Sequence, residues 1–265
     1  MAQVDLVVLF VLDGLRPDGL QQAETPHMDG IFESGAFTYS ARTVMPSATL
    51  PCHTSMFRGV TPDRHGITTN TWVPQVRPVP SITDVVHGAG CTTSAFYNWE
   101  QLRDLADPGS LDRSYYTSNC RDAEGDLEIA EVAAGRLGEQ TGFAFVYFGY
   151  TDIAGHNSGW MSEPYLQAIG NADKGVGQVL SALDRKRTAI ILTSDHGGHE
   201  RTHGTEMAED MTIPWATCAP GIPANHKIVE QLEIIDNPPT IAAYLDLPTP
   251  DEWAGKAVQS ILPAV

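Results

Sequence analysis

Three stretches of the chain are almost wholly apolar, and each leads to an acid. VDLVVLFVLDG reaches Asp13, GFAFVYFGYTD reaches Asp152 and RTAIILTSDHGG contains Asp195. Short continuous apolar runs bounded by turn residues predict strands buried on both faces, as in a parallel sheet. Elsewhere the spacing is helical: EIAEVAAGRLGEQ (128–140) and EPYLQAIGNADKGVGQVLSALDRK (163–186) place apolar residues three and four apart. CTTSAFYN (91–98) and MTIPWATCAP (211–220) predict two more strands, the second stopped by a Pro-Gly breaker. Strands alternating with helices predict an α/β fold, a three-layer sandwich whose central, mostly parallel sheet is flanked by helices. No repeat or low-complexity linker divides the chain, so residues 1–265 read as one domain. Residues 98–127, rich in Asp, Arg, Ser, Tyr and Asn, read as a small cap insertion over the site.

Charge narrows the function. With 33 acidic against 16 basic side chains, a net charge of -17 repels phosphate backbones and anionic lipid, which disfavours nucleic-acid polymers and membranes as partners. Any phosphate handled by the protein then needs a local positive charge. Cys52, Cys91, Cys120 and Cys218 are scattered without a CxxC pair and read as mostly buried thiols in a reducing compartment. The apolar run at 6–12 lacks a basic flank and a cleavage site and is too short to span a bilayer. The expectation is a cytoplasmic protein whose first apolar run is a strand.

Asp and His residues near strand ends and tight turns supply the candidate chemistry: Asp13, Asp152, His156, Asp195, His196 and His203. In open parallel α/β sheets ligands sit at the carboxyl edge of the strands. Carboxylate and imidazole donors in this mix suit zinc, with manganese or iron as second choices. Asp152 and His156 are four apart, so one helical turn would point both the same way. Taken singly, an Asp after a strand is more often a turn former or helix cap, and a lone His more often a satisfied polar residue. Three acids at the carboxyl ends of three predicted strands, two of them with a His within four positions, change that balance. Thr49 stands just before a predicted helix, PCHTSMFRG, with Pro51 in its first turn, where backbone N–H groups favour an anion.

These pieces together resemble the alkaline phosphatase superfamily, and within it the nucleotide pyrophosphatase/phosphodiesterase family. VLDGLRPD around Asp13, TLPCHTSMFRGVTPDRHGI around Thr49, TDIAGH, SDHGG, the THG at 202–204 and the closing DNPPTIAAYLDLPTPDEWAGKAV carry the likeness over nearly the whole chain. The resemblance implies an alkaline phosphatase-like catalytic domain with a minimal cap. It implies Thr49 as nucleophile and Asn70, after HGITT, as a holder of a phosphoryl oxygen. It further implies two divalent metal ions. One would be held by Asp13, Asp195 and His196 beside Thr49, which it would also bind, and the other by Asp152, His156 and His203. The implied activity is hydrolysis of small-molecule phosphate esters, phosphodiesters first, through a covalent phosphothreonine. Ser47 and Thr54 do not align with the pattern.

Departures from the family sharpen the expectation. Nucleotide-cleaving members carry an aromatic after the threonine, where this chain has Leu50, and the chain is shorter than those catalytic domains, which implies a smaller or more open pocket. Cys52 is followed by His-Thr-Ser and not by the proline and arginine of a sulfatase motif. Related monoesterases grip their substrate with an arginine and an extra magnesium site; no such arginine can be assigned here, and Arg58, Arg64 and the cap residue Arg103 are the candidates to stand in for it. The rival readings are a phosphomonoesterase, a phosphonate hydrolase of the phosphonoacetate type, and a non-catalytic metal-dependent binder of phosphoryl ligands. His199 and His65 are expected in turns or behind the ligands, and His53 in a packing or hydrogen-bonding role.

Overall fold

The computed structural model describes residues 4–262. Eight strands among them form one sheet: β1 (Leu6–Leu12), β2 (Ala36–Arg42), β3 (Thr93–Tyr97), β4 (Arg113–Tyr116), β5 (Gly142–Phe148), β6 (Thr188–Ser194), β7 (Thr212–Cys218) and β8 (His226–Lys227). Their order is β4-β3-β5-β1-β6-β7-β2-β8. The three acid-delivering runs are the adjacent central strands β5, β1 and β6, paired in parallel.

Every residue of β1, β5 and β6 is buried, and alternation divides their side chains between two cores. Val7, Leu9 and Val11 share one cluster with Phe143, Phe145, Tyr147 and Ile191, packed under the helices Thr49–Arg58, Ile82–Gly88 and Asn237–Tyr244. Leu6, Val8, Phe10 and Leu12 join the other, against Ile129 and Ala133 of the helix Ala123–Leu137 and Ile169 and Val176 of the helix Glu163–Ser181. Each large apolar side chain buried this way contributes about 1.5–3 kcal/mol, so both helical layers are held to the sheet by the strands that carry the site. This is the expected three-layer α/β architecture.

Only β7 runs against the other strands of the described sheet. The chain leaves β6 at the carboxyl edge and re-enters β7 after loops and one short helix, Ala208–Met211. Without a crossover to the far edge it must return in the opposite direction. Two expected helices shift their bounds. Ala123–Leu137 begins earlier than 128 because its first turn, AEGD, is polar and carries no apolar period; the Asp122 carboxylate caps it, accepting from Gly125 N at 3.2 Å. Glu163–Ser181 ends before the polar Asp-Arg-Lys run. Residues 98–127 hold a 3-10 turn, Glu100–Asp104, and the edge strand β4, which hydrogen-bonds to β3 and so extends the sheet. Strand β2, whose faces alternate between buried and open positions, lies outside the apolar runs that mark the central strands.

Candidate active site

Register builds the first half of the site. Leu12 pairs with Phe148 on one side and Ser194 on the other, so Asp13 and Asp195 emerge side by side at the carboxyl edge. Each is held by its outer oxygen. The Tyr147 hydroxyl donates to Asp13 Oδ2, while Asp195 Oδ1 accepts from Gly14 N at 3.1 Å and His196 N at 2.9 Å. Gly14 is required here: its φ is +67°, and a Cβ would stand 3.1 Å from Asp152 Oδ1 and 3.2 Å from the Trp160 ring.

Asp152 comes from a different support. The helix Tyr150–Ser158 follows β5 after Gly149, with Asp152 in its first turn and His156 one turn on, on the same face. His156 Nε2 lies 3.4 Å from Asp152 Oδ2, and His203, from the loop after β6, brings Nε2 to 3.7 Å from Asp152 Oδ1. His196 Nε2 is 3.4 Å from Asp13 Oδ1 and 3.3 Å from Asp195 Oδ2. Thus Asp13, Asp195 and His196 form one group with ligand atoms within 4.8 Å of one another, and Asp152, His156 and His203 form a second. The His196 and His203 rings stack at 3.9 Å, joining the two.

Hydrogen bonds fix which ring nitrogen faces the centre. His196 Nδ1 lies 2.8 Å from Gly197 O, His203 Nδ1 2.8 Å from Ser47 O and His156 Nδ1 2.9 Å from Arg201 O. A carbonyl only accepts, so each Nδ1 carries the hydrogen and Nε2 is the nitrogen turned toward the carboxylates. Burial pushes His196 down to about 4, and burial with the neighbouring His196 pushes His203 down to about 3, which keeps both rings neutral. Burial, then mutual repulsion with Asp195 and Asp152, holds Asp13 well above the carboxylate range; burial raises Asp195 and lifts Asp152 to about 7. Asp13 Oδ1, Asp152 Oδ1 and Asp195 Oδ2 are buried without any donor. Carboxyl oxygens that no surrounding group donates to, converging on imidazole lone pairs, form a cation cradle, and the oxygen and imidazole donors fit zinc-like divalent ions.

Thr49 opens the helix Thr49–Arg58 as its first residue, with Ala48 in the capping position, so the threonine is not the cap. Its Oγ1 faces His196 Nε2 at 3.4 Å. Leu50 N donates to Asn70 Oδ1 at 2.9 Å, and Pro51 has no N–H, so the helix start itself offers an anion fewer donors than its position suggests. The bond leaves the Asn70 amide NH2 as the free end. Ser47 and Thr54 each donate their hydroxyl to a backbone carbonyl, Thr205 O at 2.9 Å and Leu50 O at 2.7 Å.

The family model for type I phosphodiesterase / nucleotide pyrophosphatase matches residues 7–89 and 80–220, spans that contain Asp13, Thr49, Asn70 and all five other candidate ligands. The chain belongs to that family. Bovine ectonucleotide pyrophosphatase/phosphodiesterase family member 3 is 26% identical over 219 residues, 72% of this chain and 24% of its own. The chain therefore spans about a quarter of the length of the curated relatives it first matches. Among solved structures, murine ectonucleotide pyrophosphatase/phosphodiesterase 5, an inactive variant in complex with AMP, superposes with a TM-score of 0.81 at 16% identity, covering 98% of this chain and 100% of that one. A phosphonate monoester hydrolase from Silicibacter pomeroyi gives 0.71 at 16% identity, covering 98% and 76%. At that identity these structures show the shared fold.

The other family-suggested residues lie elsewhere. Arg58 is buried and pairs with Asp107 at 2.9 Å, Arg64 donates to Arg77 O at 2.8 Å, and Arg103 pairs with Glu100. Leu50 is fully buried, so its position offers no surface for stacking. His65 bonds Ser55 at 3.0 Å, His199 pairs with Asp210 at 2.7 Å, and buried His53 sets Nδ1 2.8 Å from Thr49 O. All four cysteines are free, and only Cys52 is fully buried, since the other three lie nearer the surface. Two residues behind the ligands were not legible as such. Tyr147, which holds Asp13, sits in a wholly apolar run whose faces no period separates. Trp160, which donates Nε1 to Gly14 O at 2.9 Å and lies edge-on to His156, follows a glycine turn with no motif of its own.

Proposed function

We propose that this chain hydrolyses small phosphate esters, phosphodiesters by preference, through a covalent phosphothreonine on Thr49. The observation that carries the reading is the Thr49 hydroxyl, 3.4 Å from His196 Nε2 and beside two convergent groups of donor-less acceptors. Asp13, Asp195 and His196 would hold one divalent ion next to Thr49, and Asp152, His156 and His203 a second; zinc suits these donors best, then manganese or iron. When bound, such a pair of cations supplies charge stabilisation at the entering and departing oxygens of an in-line displacement.

The chain's own residues arrange the rest. Thr49 Oγ attacks phosphorus as its proton passes to solvent, the bond from phosphorus to the leaving oxygen breaks, and that oxygen takes a proton from solvent and departs as the alcohol, which leaves the still-esterified phosphoryl group on Thr49. Water then attacks that phosphorus, the bond to Thr49 Oγ breaks, and a monoester is released. The Asn70 amide, oriented by Leu50 N, donates to a phosphoryl oxygen. A neutral donor suits the single charge of a diester. The second charge of a monoester calls for a further cation, and Arg58, Arg64 and Arg103 are engaged elsewhere.

The test compares bis(p-nitrophenyl) phosphate with p-nitrophenyl phosphate at matched concentrations, with phosphonoacetate alongside. Faster turnover of the diester is expected. Faster release from the monoester, or phosphonoacetate as the best substrate, would replace the diester assignment. Among the described residues no helix is long and apolar enough to cross a membrane. The free cysteines support a reducing, cytoplasmic setting for the activity.

A further inference from the structure

The ligand helix Tyr150–Ser158 is capped from outside its own segment. Its capping residue, Gly149, has no side chain to satisfy the first N–H groups of the helix. Those groups turn to Asp126, 23 positions upstream on the helix Ala123–Leu137: Asp126 Oδ1 accepts from Gly149 N at 3.1 Å and Tyr150 N at 3.4 Å. Asn98, which follows β3, completes the clamp. Its Nδ2 donates to the same Asp126 oxygen at 2.7 Å, and its Oδ1 also accepts from Gly149 N at 3.1 Å. Both side chains are buried to within about one per cent.

A carboxylate in the core is expensive, but position 149 leaves no room for a local cap: its backbone is already helical, and a Cβ there would stand 3.0 Å from Asn98 Oδ1 and 3.1 Å from the Tyr147 ring. What the distant carboxylate adds is placement. It ties the first turn of the ligand helix to β3 and to the helix Ala123–Leu137, and Asp152 stands in that turn with His156 directly above it. The other ligand group needs no such clamp, because Asp13 and Asp195 follow hydrogen-bonded strands without a break.

We infer that Asp126, with Asn98, is a positioning residue that sets Asp152 and His156 for the second ion without touching ion or substrate. This rests on the two-metal reading above. The mechanism is geometric: Asp126 Oδ1 as acceptor is what matters, so an amide in its place keeps the clamp and a methyl group does not.

Titration of the metal-free protein with Co2+, followed by visible absorption and by calorimetry, tests it. The unaltered protein is expected to bind two ions in distinguishable steps. In Asp126→Ala the step belonging to Asp152, His156 and His203 weakens about 10- to 100-fold, the range seen when a partner behind a metal ligand is removed, while the other step keeps its affinity. Asp126→Asn recovers most of the loss. Should Asp126→Ala fail to fold, Asn98→Ala decides, with a weaker effect on the same step. Two unchanged steps in these variants, or equal weakening of both, would overturn the positioning role. Fewer than two Co2+ bound by the unaltered protein would instead overturn the two-metal reading itself.

Discussion

The two ligand groups face each other but stand on unlike supports. Asp13, Asp195 and His196 hang from neighbouring strands paired along seven positions, with side chains 4%, 0% and 0% exposed. Asp152, His156 and His203 come from a helix start and a loop, with His156 38% exposed and the other two 11%. The first group is fixed once the sheet forms, since the seven-residue pairing of β1 with β6 locks one acid beside the other. The second depends on how a helix docks and on carbonyls at Ser47 and Arg201 that tether its imidazoles. One half of the site is thus a property of the sheet, and the other half is assembled on it.

The largest break in that comparison falls on the sheet-side group. Thr49→Ala removes the hydroxyl that faces His196 Nε2 yet leaves the six carboxylate and imidazole groups in place. Turnover of the diester is expected to fall by several orders of magnitude, as loss of a nucleophile does, while two equivalents of zinc remain by mass spectrometry. Unimpaired turnover would remove the threonine from the mechanism. Two retained ions with turnover gone would equally exclude a protein that merely binds phosphoryl ligands, because only a catalyst has an activity to lose.

Chelation separates the halves next. Competing chelator reaches the half-exposed His156 before the buried Asp195 and His196, so the ion of the helix-borne group is expected to leave first. Metal content should pass through a plateau near one equivalent before reaching zero, with diester turnover lost on the first step and restored by added zinc. Simultaneous loss of both ions would mean that the two groups behave as one site despite their different burial.

How much of this was legible follows the same division. Asp13, Asp195 and His196 were readable because a buried strand is a run of apolar letters and an acid after it stands out. Asp152 and His156 were readable through their four-residue spacing, although Asp152 proved to lie in a helix and not at a strand end. The tethers were not readable. Ser47, Gly197 and Arg201 act through backbone carbonyls, which every residue has, and Tyr147 lies in a strand buried on both faces, where alternation carries no signal. The reversed strand β7 was hidden for a related reason: direction depends on what the connection before it can span, and MTIPWATC reads alike either way. Asp126 sits in a helix turn full of acids, of which it alone is buried and faces the ligand helix.

That buried acid gives a smaller effect, visible in stability alone. Burial pushes the Asp126 carboxyl up to about 7. Between about pH 4 and 7 the folded chain keeps a proton that the unfolded chain has released, so the contribution of this group is full below pH 4 and declines as pH rises through 7. The decline amounts to roughly 2–4 kcal/mol across that window. Asp126→Asn cannot titrate and should lack this component, so denaturation midpoints measured from pH 4 to 8 would diverge between the two proteins as pH rises. Parallel profiles would show that Asp126 is ionised throughout, with its charge met by the Gly149 and Tyr150 N–H groups.

The smallest expected change returns to the sheet-side half and asks whether Leu50 has any part in selecting substrate. The side chain is fully buried beneath the helix that begins at Thr49, among residues that include Met56 and Ile82. Leu50→Phe therefore adds volume to a filled core and exposes no ring to a nucleotide base. It should cost about 1–3 kcal/mol in urea unfolding, through displaced neighbours and off-rotamer packing. Because the Leu50 N–H orients Asn70, some of that strain would reach the phosphoryl end of the site and lower the rate for every diester alike. A selective gain for a dinucleotide over bis(p-nitrophenyl) phosphate would instead place the new ring in the pocket, and the helix start would then have to be mobile enough to turn position 50 outward. An equal loss on both substrates, with two ions still bound, keeps the first half of the site as rigid as its strands make it.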